Sequence, residues 1–558
     1  MAFITKKKIA GKEYYYLQKS IREGNKVKSK MVAYLGKDLK EAEKKAEQIK
    51  NQITNETKPT PKQKSKLEHK QITIEELAMF CKRKGFVYPS GEIYGGLGGF
   101  WDFGHLGTEL KNNIKRQWWI YHVQTREDIV GIDGSIITNP KVWEASGHVS
   151  SFVDIAVVCK KCGYKTKIDK HELKTAKCDK CKGEYENKGE FNPMFTTQIG
   201  PIKEDSQTAY LRPETAQLIF ANFKLVQENA RLQLPFGIAQ TGKAFRNEIS
   251  PREFLFRDRE FEQMEIEYFI EPKTVCPYME EIKGTPILIL NEEMQKKNKP
   301  AILMDLHEAY KKKIIKTDWH AYWIAKEYEW FTSLGANPSN FRIRQHTSDE
   351  KSHYAIDTWD LEYKFPMGWR ELQGFANRSD FDLKQHQEHS KTNMELIDEK
   401  GKKFLPHVVC EPSLGVDRTF LVFLLDNYFH DPIRNNIVLK LNPKLAPIKA
   451  AIFPIIKKPE YEELAMSIVQ DLNKEFNVLY DKSGSIGRRY SRNDEIGTPY
   501  CITIDDKSPK QKDVTIRDRD TTEQIRVKIK DVKSTIQKLI NQEIKFKDAG
   551  KLVKTRIK

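Results

Sequence analysis

Four of the eight cysteines stand as one unit, Cys159, Cys162, Cys178 and Cys181, spaced C-x2-C-x15-C-x2-C. Two such knuckles can set four thiolates tetrahedrally around zinc. Disulfide pairing is the alternative, and a cytosolic chain disfavours it. With sulfur in all four positions none is left for a substrate, so the expected site is structural. A second concentration of chemistry is FRNEISPREFLFRDREFEQMEIEYF, residues 245–269. Read at every second residue, Phe245, Asn247 and Ile249 fall opposite Arg246 and Glu248. Further on, Glu262, Met264, Ile266 and Tyr268 fall opposite Phe261, Gln263, Glu265 and Glu267. Alternation predicts two strands, with a loop around Pro251 between them. Arginine stays protonated and forks onto phosphate oxygens, so its density here suits an anionic ligand. Taken alone, an ordinary surface hairpin with solvated ion pairs has the same look. Glu262 and Glu267 in particular read as solvated or paired surface groups.

The remaining candidates are plainer. Cys81, Cys276, Cys410 and Cys501 are scattered and read as buried thiols. The GGLGG run (95–99) lacks the GK[ST] of a Walker loop and carries Trp101 where a dinucleotide fingerprint needs glycine; it reads as a tight turn. His148, His353 and His407 show no partner in the sequence, and structural hydrogen bonding is expected of each.

These groups need elements to position them. Leu106, Leu110, Ile114 and Trp118 recur at intervals of four and predict an amphipathic helix. A second helix is expected from His320 to Leu334 and an apolar one over FLVFLLDNYF (420–429). Residues 284–318 read as an insertion without a predicted shape. From AAIFPII onward, strand-like and helix-like segments alternate as in an α/β domain. Residues 3–35 suggest a basic β meander, 39–53 a helix, and NETKPTPKQKSK (55–66) a flexible linker.

A chain of 558 residues has room for about three domains. The boundaries expected are 1–70 for a basic appendage and linker, 71–445 for the main domain, and 446–558 for the last. A zinc knob is placed at about 155–185. The longest apolar runs are too short to cross a bilayer, and lysines begin at Lys6 with no apolar stretch behind them. A cytoplasmic protein without a membrane is therefore expected. The formal charge is +17, of which residues 1–70 supply +11 with 18 lysines and one arginine against eight acidic residues. Such a balance points to a polyanionic partner, or to solvated lysines alone.

Read together, FRNE with its loop and RDREF, LRPETAQ (211–217) and EPSLGVDR (411–418) resemble motifs 2 and 3 of class II aminoacyl-tRNA synthetases. The helix from Leu106 to Trp118, running on toward Pro140, is similar to motif 1, which builds the dimer interface in that family. The match is closer still to glycyl-tRNA synthetases of the homodimeric type. GFVYPSGEIYGGLGGFWDFGHLGTELKNN (85–113), GKAFRNEISPR, REFEQMEIEYF and LAPIKAAIFP carry it, over roughly 71–283 and 319–540. The fold implied is α+β: an antiparallel class II sheet flanked by helices, a zinc-knuckle insertion, a C-terminal α/β anticodon-binding domain and a small basic N-terminal β appendage. The activity implied is that of a glycine–tRNA ligase, which uses ATP to form glycyl-adenylate and passes glycine to the 3′ end of tRNA(Gly).

By this resemblance Arg246 would hold the α-phosphate and Arg257 the γ-phosphate. Phe261 would stack beneath adenine, Arg418 would cover its other face, and Glu248 would accept from its amino group. Glu371 and Glu411 are candidate magnesium ligands, since that ion takes hard oxygen donors. Glycine has no side chain to grip, so selection must exclude anything larger. Glu214, Glu265 and Glu411 match positions that clamp the ammonium. Ser413 would crowd Cα, and Arg378 would hold the carboxylate. Glu411 thus has two proposed roles, and both stay open in the sequence.

The C-terminal domain resembles an anticodon-binding domain, and Arg489, Asp494, Glu495 and Arg517 are candidates for base contacts. The zinc knob would either steady the acceptor stem or only stabilise its own insertion. The lysines of residues 1–70 would either touch tRNA phosphates or merely solubilise. A noncatalytic RNA-binding paralogue and an enzyme that adenylates another small acid are the rival readings. Retention of Arg246, Glu248, Phe261 and Arg418 argues against the first. The three-glutamate niche and the anticodon-like domain argue against the second.

Overall fold

The computed structural model describes residues 2–9, 12–23, 26–36, 41, 43, 45, 46 and 72–553, except 152, 169–174, 179, 201, 203–206, 252 and 351–354. The chain divides into two compact units, 1–70 and 71–558. In the first, strands Ala2–Ile9, Lys12–Glu23 and Lys26–Gly36 form an antiparallel meander, as the sequence suggested. Of the expected 39–53 helix only residues 41, 43, 45 and 46 are described, all helical; the linker at 55–66 lies outside the described residues.

The second unit is built on a ten-stranded sheet. Its central run places Asp357–Phe365, Gly368–Asn377, Glu411–Gly415, Glu260–Ile270 and Phe236–Phe245 side by side, all antiparallel. Strand Ile129–Ile132 closes one edge in parallel with Phe236–Phe245. At the other edge, residues 284–318 prove to be part of the sheet. Pro286–Leu290 pairs in parallel with Phe341–Gln345 and antiparallel with Ile302–Asp305. Alternating Ile287 and Ile289 fill the core there.

One face of the sheet is sealed by helices. In Glu260–Ile270 the residues Met264, Ile266 and Tyr268 are buried, and the Tyr268 ring meets those of Trp319 and Trp323 on helix Asp318–Ser333 at 5.1 and 5.2 Å. Helix Val416–Asn427 buries its apolar middle, Phe420 to Leu424, while Asp417 and Arg418 in its first turn line a cleft. It starts four residues earlier than FLVFLL suggested and stops at Asn427, where Tyr428–Asp431 becomes a strand. Helix His105–Trp119 buries Leu106, Leu110, Ile114 and Trp118, all within the same core. It does not run on toward Pro140: a π-turn at Ile120–Gln124 ends it, and strand Ile129–Ile132 follows. Its apolar stripe is consumed inside the chain and gives no independent argument for a dimer.

The last 110 residues form a second sheet in the order Val478–Tyr480, Ala450–Pro454, Tyr500–Ile504, Asp513–Asp518, Gln524–Lys528, Lys551–Leu552. Its first pairs are parallel and the rest antiparallel. No described helix is long and apolar enough to cross a membrane.

Candidate active site and thiolate cluster

The sealed sheet leaves its other face free for polar groups. Register brings Glu265 beside Ser413, and Ser413 beside Gly374, across three strands. Period-two alternation then lines one face with Phe261, Gln263, Glu265 and Glu267. A cleft of about 400 Å³ opens over this face. Its walls include Arg246, Glu248, Arg257, Phe261, Glu371 and Arg418 at one end and Glu214, Glu265, Glu411 and Ser413 at the other. Apart from Arg378, the two residue sets that the sequence singled out therefore share one cavity.

At the first end the expected strand 245–249 is shorter than predicted. The strand is Phe236–Phe245, so Arg246 and Glu248 stand in the loop just past its end. Proline at 251 cannot supply a ladder N–H, and the chain leaves the sheet before it. The loop is held by its neighbours instead. Arg246 donates to the Pro213 carbonyl (3.0 Å) and lies 5.5 Å over the Phe261 ring. Arg259 donates to the carbonyls of Glu248 (2.9 Å) and Gly98 (3.0 Å). The glycine run thus does more than turn the chain. Gly99 has φ +78°, and a Cβ there would stand 2.7 Å from Pro251, so the turn presses directly on the nucleotide-side loop. Arg418 packs 4.5 Å over Phe256, donates to the Phe256 and Glu371 carbonyls, and meets the Glu371 carboxylate at 3.3 Å.

The other end is a buried acidic niche. Glu214, Glu265, Glu267 and Glu411 are all buried. Glu214 accepts from Gln217 (3.2 Å) and faces His148 at 3.3 Å. Burial would raise its pKa, but His148, Arg378 and Arg246 outweigh that and hold the carboxylate well below its usual range. Glu265 accepts from the Thr215 hydroxyl, and Gln263 bridges the Thr215 amide and the Ser413 hydroxyl. Glu411 is pushed up to about 8 by burial, against the pull of Arg378 and with Glu265 and Glu214 adding to the rise. Crowding and burial keep Glu265 and Glu411 from ionising readily, and a small cation placed among them would favour their charged forms.

Two expectations are corrected by this geometry. Glu267 is not a surface group: it is fully buried, neither oxygen has a hydrogen-bond partner, and an oxygen of each of Glu265, Glu267 and Glu411 lies within 4.8 Å of the others. Burial first, then Glu411, pushes it well above the usual carboxylate range. Arg378 does not offer a free fork for a carboxylate. Its nitrogens are engaged by Asp382 (2.7 and 2.8 Å) and Glu411 (3.1 and 3.2 Å). Glu411, bonded this way, stands at the acidic end, whereas Glu371 stands at the arginine end. His148, expected to be structural, bonds Ser146 (2.8 Å) and also steadies Glu214. His407 lies 3.5 Å from the Ser379 hydroxyl, and His353 is outside the described residues.

The four cysteines converge. Sγ atoms of Cys159 and Cys181 are 3.4 Å apart, those of Cys162 and Cys178 3.6 Å, and all four lie within 4.8 Å of one another. Tetrahedral zinc with its usual bond lengths sets sulfurs about 3.8 Å apart, so the donor set fits that ion. Matching turns bring them in: Gly163 N donates to the Cys159 carbonyl, and Lys182 N to that of Cys178. A side chain at Gly183 would meet the Cys159 and Cys181 sulfurs. The sheet that carries the cluster reaches the cleft. Lys167 on strand Lys165–Ile168 bonds Asp154 (2.8 Å) and Glu248 (3.4 Å), and Ser250 donates to the Lys165 carbonyl. Nothing in the spacing of the sequence announced that link. Cys81, Cys276, Cys410 and Cys501 are buried, as read.

The four candidates for base contacts are placed differently from expectation. Arg489, Asp494 and Arg517 are buried. Arg517 forks onto Asp494 (2.8 and 3.0 Å), and Arg489 donates to the Pro454 and Gly484 carbonyls. Glu495 pairs with Lys84 of the helix Ile74–Lys84. Burial without pairing would cost several kcal/mol per charge, and each of these residues is engaged by a protein partner.

A family model described as tRNA synthetase class II core domain (G, H, P, S and T) matches residues 195–428, and one described as anticodon binding domain matches 449–539. A glycine–tRNA ligase of Geobacillus thermodenitrificans is 43% identical over 499 residues, covering 84% of this chain and 98% of its own. One of Thermobifida fusca is 42% identical over 490 residues, covering 83% and 97%. A solved prolyl-tRNA synthetase of Cryptosporidium parvum, complexed with halofuginone and AMPPNP, is similar in fold alone, with a TM-score of 0.52 at 15% identity over 84% of this chain and 77% of that one. Relatives matched almost from end to end, and a two-ended cleft on the class II core, lead to one conclusion: the chain belongs to the glycine–tRNA ligase family.

Proposed function

We propose that the cleft joins glycine to ATP by attack of the glycine carboxylate oxygen on the α-phosphorus, with pyrophosphate leaving, and that a hydroxyl at the 3′ end of tRNA(Gly) then takes the glycyl group and releases AMP. The substrates bring their own nucleophile and leaving group, so the protein's work is orientation and charge neutralisation. The observation that carries this reading is the single cavity with arginines at one end and buried carboxylates at the other.

In this reading Arg246 holds the α-phosphate and Arg257 the γ-phosphate. Phe261 and Arg418 flank the purine, and Glu248 accepts from its amino group. Glu214, Glu265 and Glu411 surround the ammonium, and Ser413 fills the space a side chain would need. Arg378 acts through them: its bonds to Asp382 and Glu411 fix the niche and limit its negative charge. Magnesium, when bound, neutralises phosphate oxygens. Glu371, beside Arg418, has the hard oxygens for it, and Glu411 is reserved for the ammonium. Zinc on Cys159, Cys162, Cys178 and Cys181 is structural. The segments 71–445 and 446–558 serve as catalytic and anticodon-binding parts, the enzyme works as a homodimer, and its place of action is the cytoplasm.

The test is pyrophosphate exchange into ATP. Glycine supports it and alanine does not, and Arg246→Ala lowers the glycine-dependent rate about 100-fold, the scale of losing one charge-stabilising group. Alanine activated as fast as glycine overturns the reading of the niche. Exchange without any charging of tRNA overturns the reading of the whole.

A further inference from the structure

We propose that the N-terminal meander is a binding surface for unpaired bases of the tRNA substrate, with its lysines gripping the flanking phosphates. The inference rests on the ligase reading for the identity of the RNA, but its evidence is separate.

Charge comes first. Residues 2–36 hold eight lysines and one arginine against two glutamates. That density on a small module suits a phosphate backbone. Both family matches, 195–428 and 449–539, fall outside this module. The relatives are covered over 97–98% of their own length by 83–84% of this chain, so the chain carries more than the shared reaction needs.

Register comes second. Directly opposed residues in an antiparallel sheet share a face. One face carries Ile4, Leu17 and Ala33 in line across the three strands, with Tyr15 next to them. On this face Tyr15 is buried, and Lys6 directly opposite it is exposed. The other face carries Thr5, Tyr16 and Tyr34 in line, with Phe3 opposite Gln18 and Lys7 opposite Tyr14. Four aromatic residues, Phe3, Tyr14, Tyr16 and Tyr34, therefore occupy neighbouring register positions on the face away from Tyr15. A solubilising appendage has no use for aromatics on that side. Aromatic residues set among lysines on a sheet are what stacking of single-stranded bases requires.

The full-length enzyme provides the test. Tyr16→Ala with Tyr34→Ala is expected to raise the KM for tRNA about fivefold to tenfold, with glycine-dependent pyrophosphate exchange unchanged. Tyr16→Phe with Tyr34→Phe keeps the rings and is expected to charge tRNA like the parent, which separates stacking from misfolding of the sheet. Lys7→Gln with Lys12→Gln is expected to flatten the slope of log affinity against log salt by about 0.7–0.9 for each lysine that no longer neutralises a phosphate. An unstructured single-stranded RNA should compete with tRNA better than a duplex of equal length. The proposal is overturned if tRNA KM and salt slope stay unchanged in the alanine and glutamine variants, if duplex competes as well as single strand, or if the alanine variant changes the oligomeric state alone. Loss of exchange in the parent enzyme would count against the ligase reading instead.

Discussion

Glu214 shows what a carboxylate needs in order to stay ionised in a buried niche. Burial alone would neutralise it, and His148 at 3.3 Å together with Arg378 and Arg246 reverse that. The glutamate was legible in RPET; its histidine was not, because His148 lies far earlier in the chain and no period or spacing relates the two. Replacing His148 with alanine should raise the KM for glycine about tenfold, the scale of one hydrogen bond to a charged group. The KM for ATP should move less than twofold. Steady-state exchange kinetics in each substrate would check both. Glu267 teaches the converse. Its charge argued for the surface, yet alternation had already set it on the same face as Glu265, and in a buried strand the position decides. For Arg378 the residue type was legible but its partner was not: Asp382, in the first turn of the helix Phe381–Ser390, takes the donors a substrate carboxylate was expected to meet.

Among the elements, those with a strong period were read well. The helix carrying Leu106, Leu110, Ile114 and Trp118 and the strand Glu260–Ile270 stand where their patterns put them. Elements set by partners were not. Residues 284–318 carry short apolar runs whose sheet neighbour, Phe341–Gln345, is remote in sequence, so nothing local fixed their shape. The thiolate sheet is the functional case. Cysteine spacing pointed to the cluster, but its link to the cleft runs through Lys167 and Ser250, two residues with no motif. Lys167→Ala should raise the KM for ATP about fivefold while leaving that for glycine in place, since a partly exposed ion pair is worth about 1 kcal/mol. Lys167→Arg should recover much of the loss. Stripping zinc with a chelator should act in the same direction, with metal analysis showing one zinc per chain before treatment and none in Cys178→Ser.

At the scale of the whole molecule, the C-terminal sheet is tied to the class II core by buried charge. Asp494 accepts from Arg517 of its own domain and from Arg434 (2.9 Å), which also donates to the Arg519 carbonyl. Arg519 in turn donates to the Leu441 carbonyl (2.8 Å). Arg489, Asp494, Glu495 and Arg517 looked like RNA readers because arginines and carboxylates are what reads bases; a single sequence cannot tell a charge aimed outward from one paired at a seam. Arg434→Met should cost about 2 kcal/mol, the loss of one charged partner to a buried carboxylate, and split a single calorimetric transition into two. This seam also governs how the protein can be cut. A chain ended at 445 would leave Arg434 with Asp431 alone, without Asp494 and the Arg519 carbonyl, so a fragment trimmed there is expected to be less stable than the whole chain. A cut made anywhere along this seam exposes partners on both of its sides.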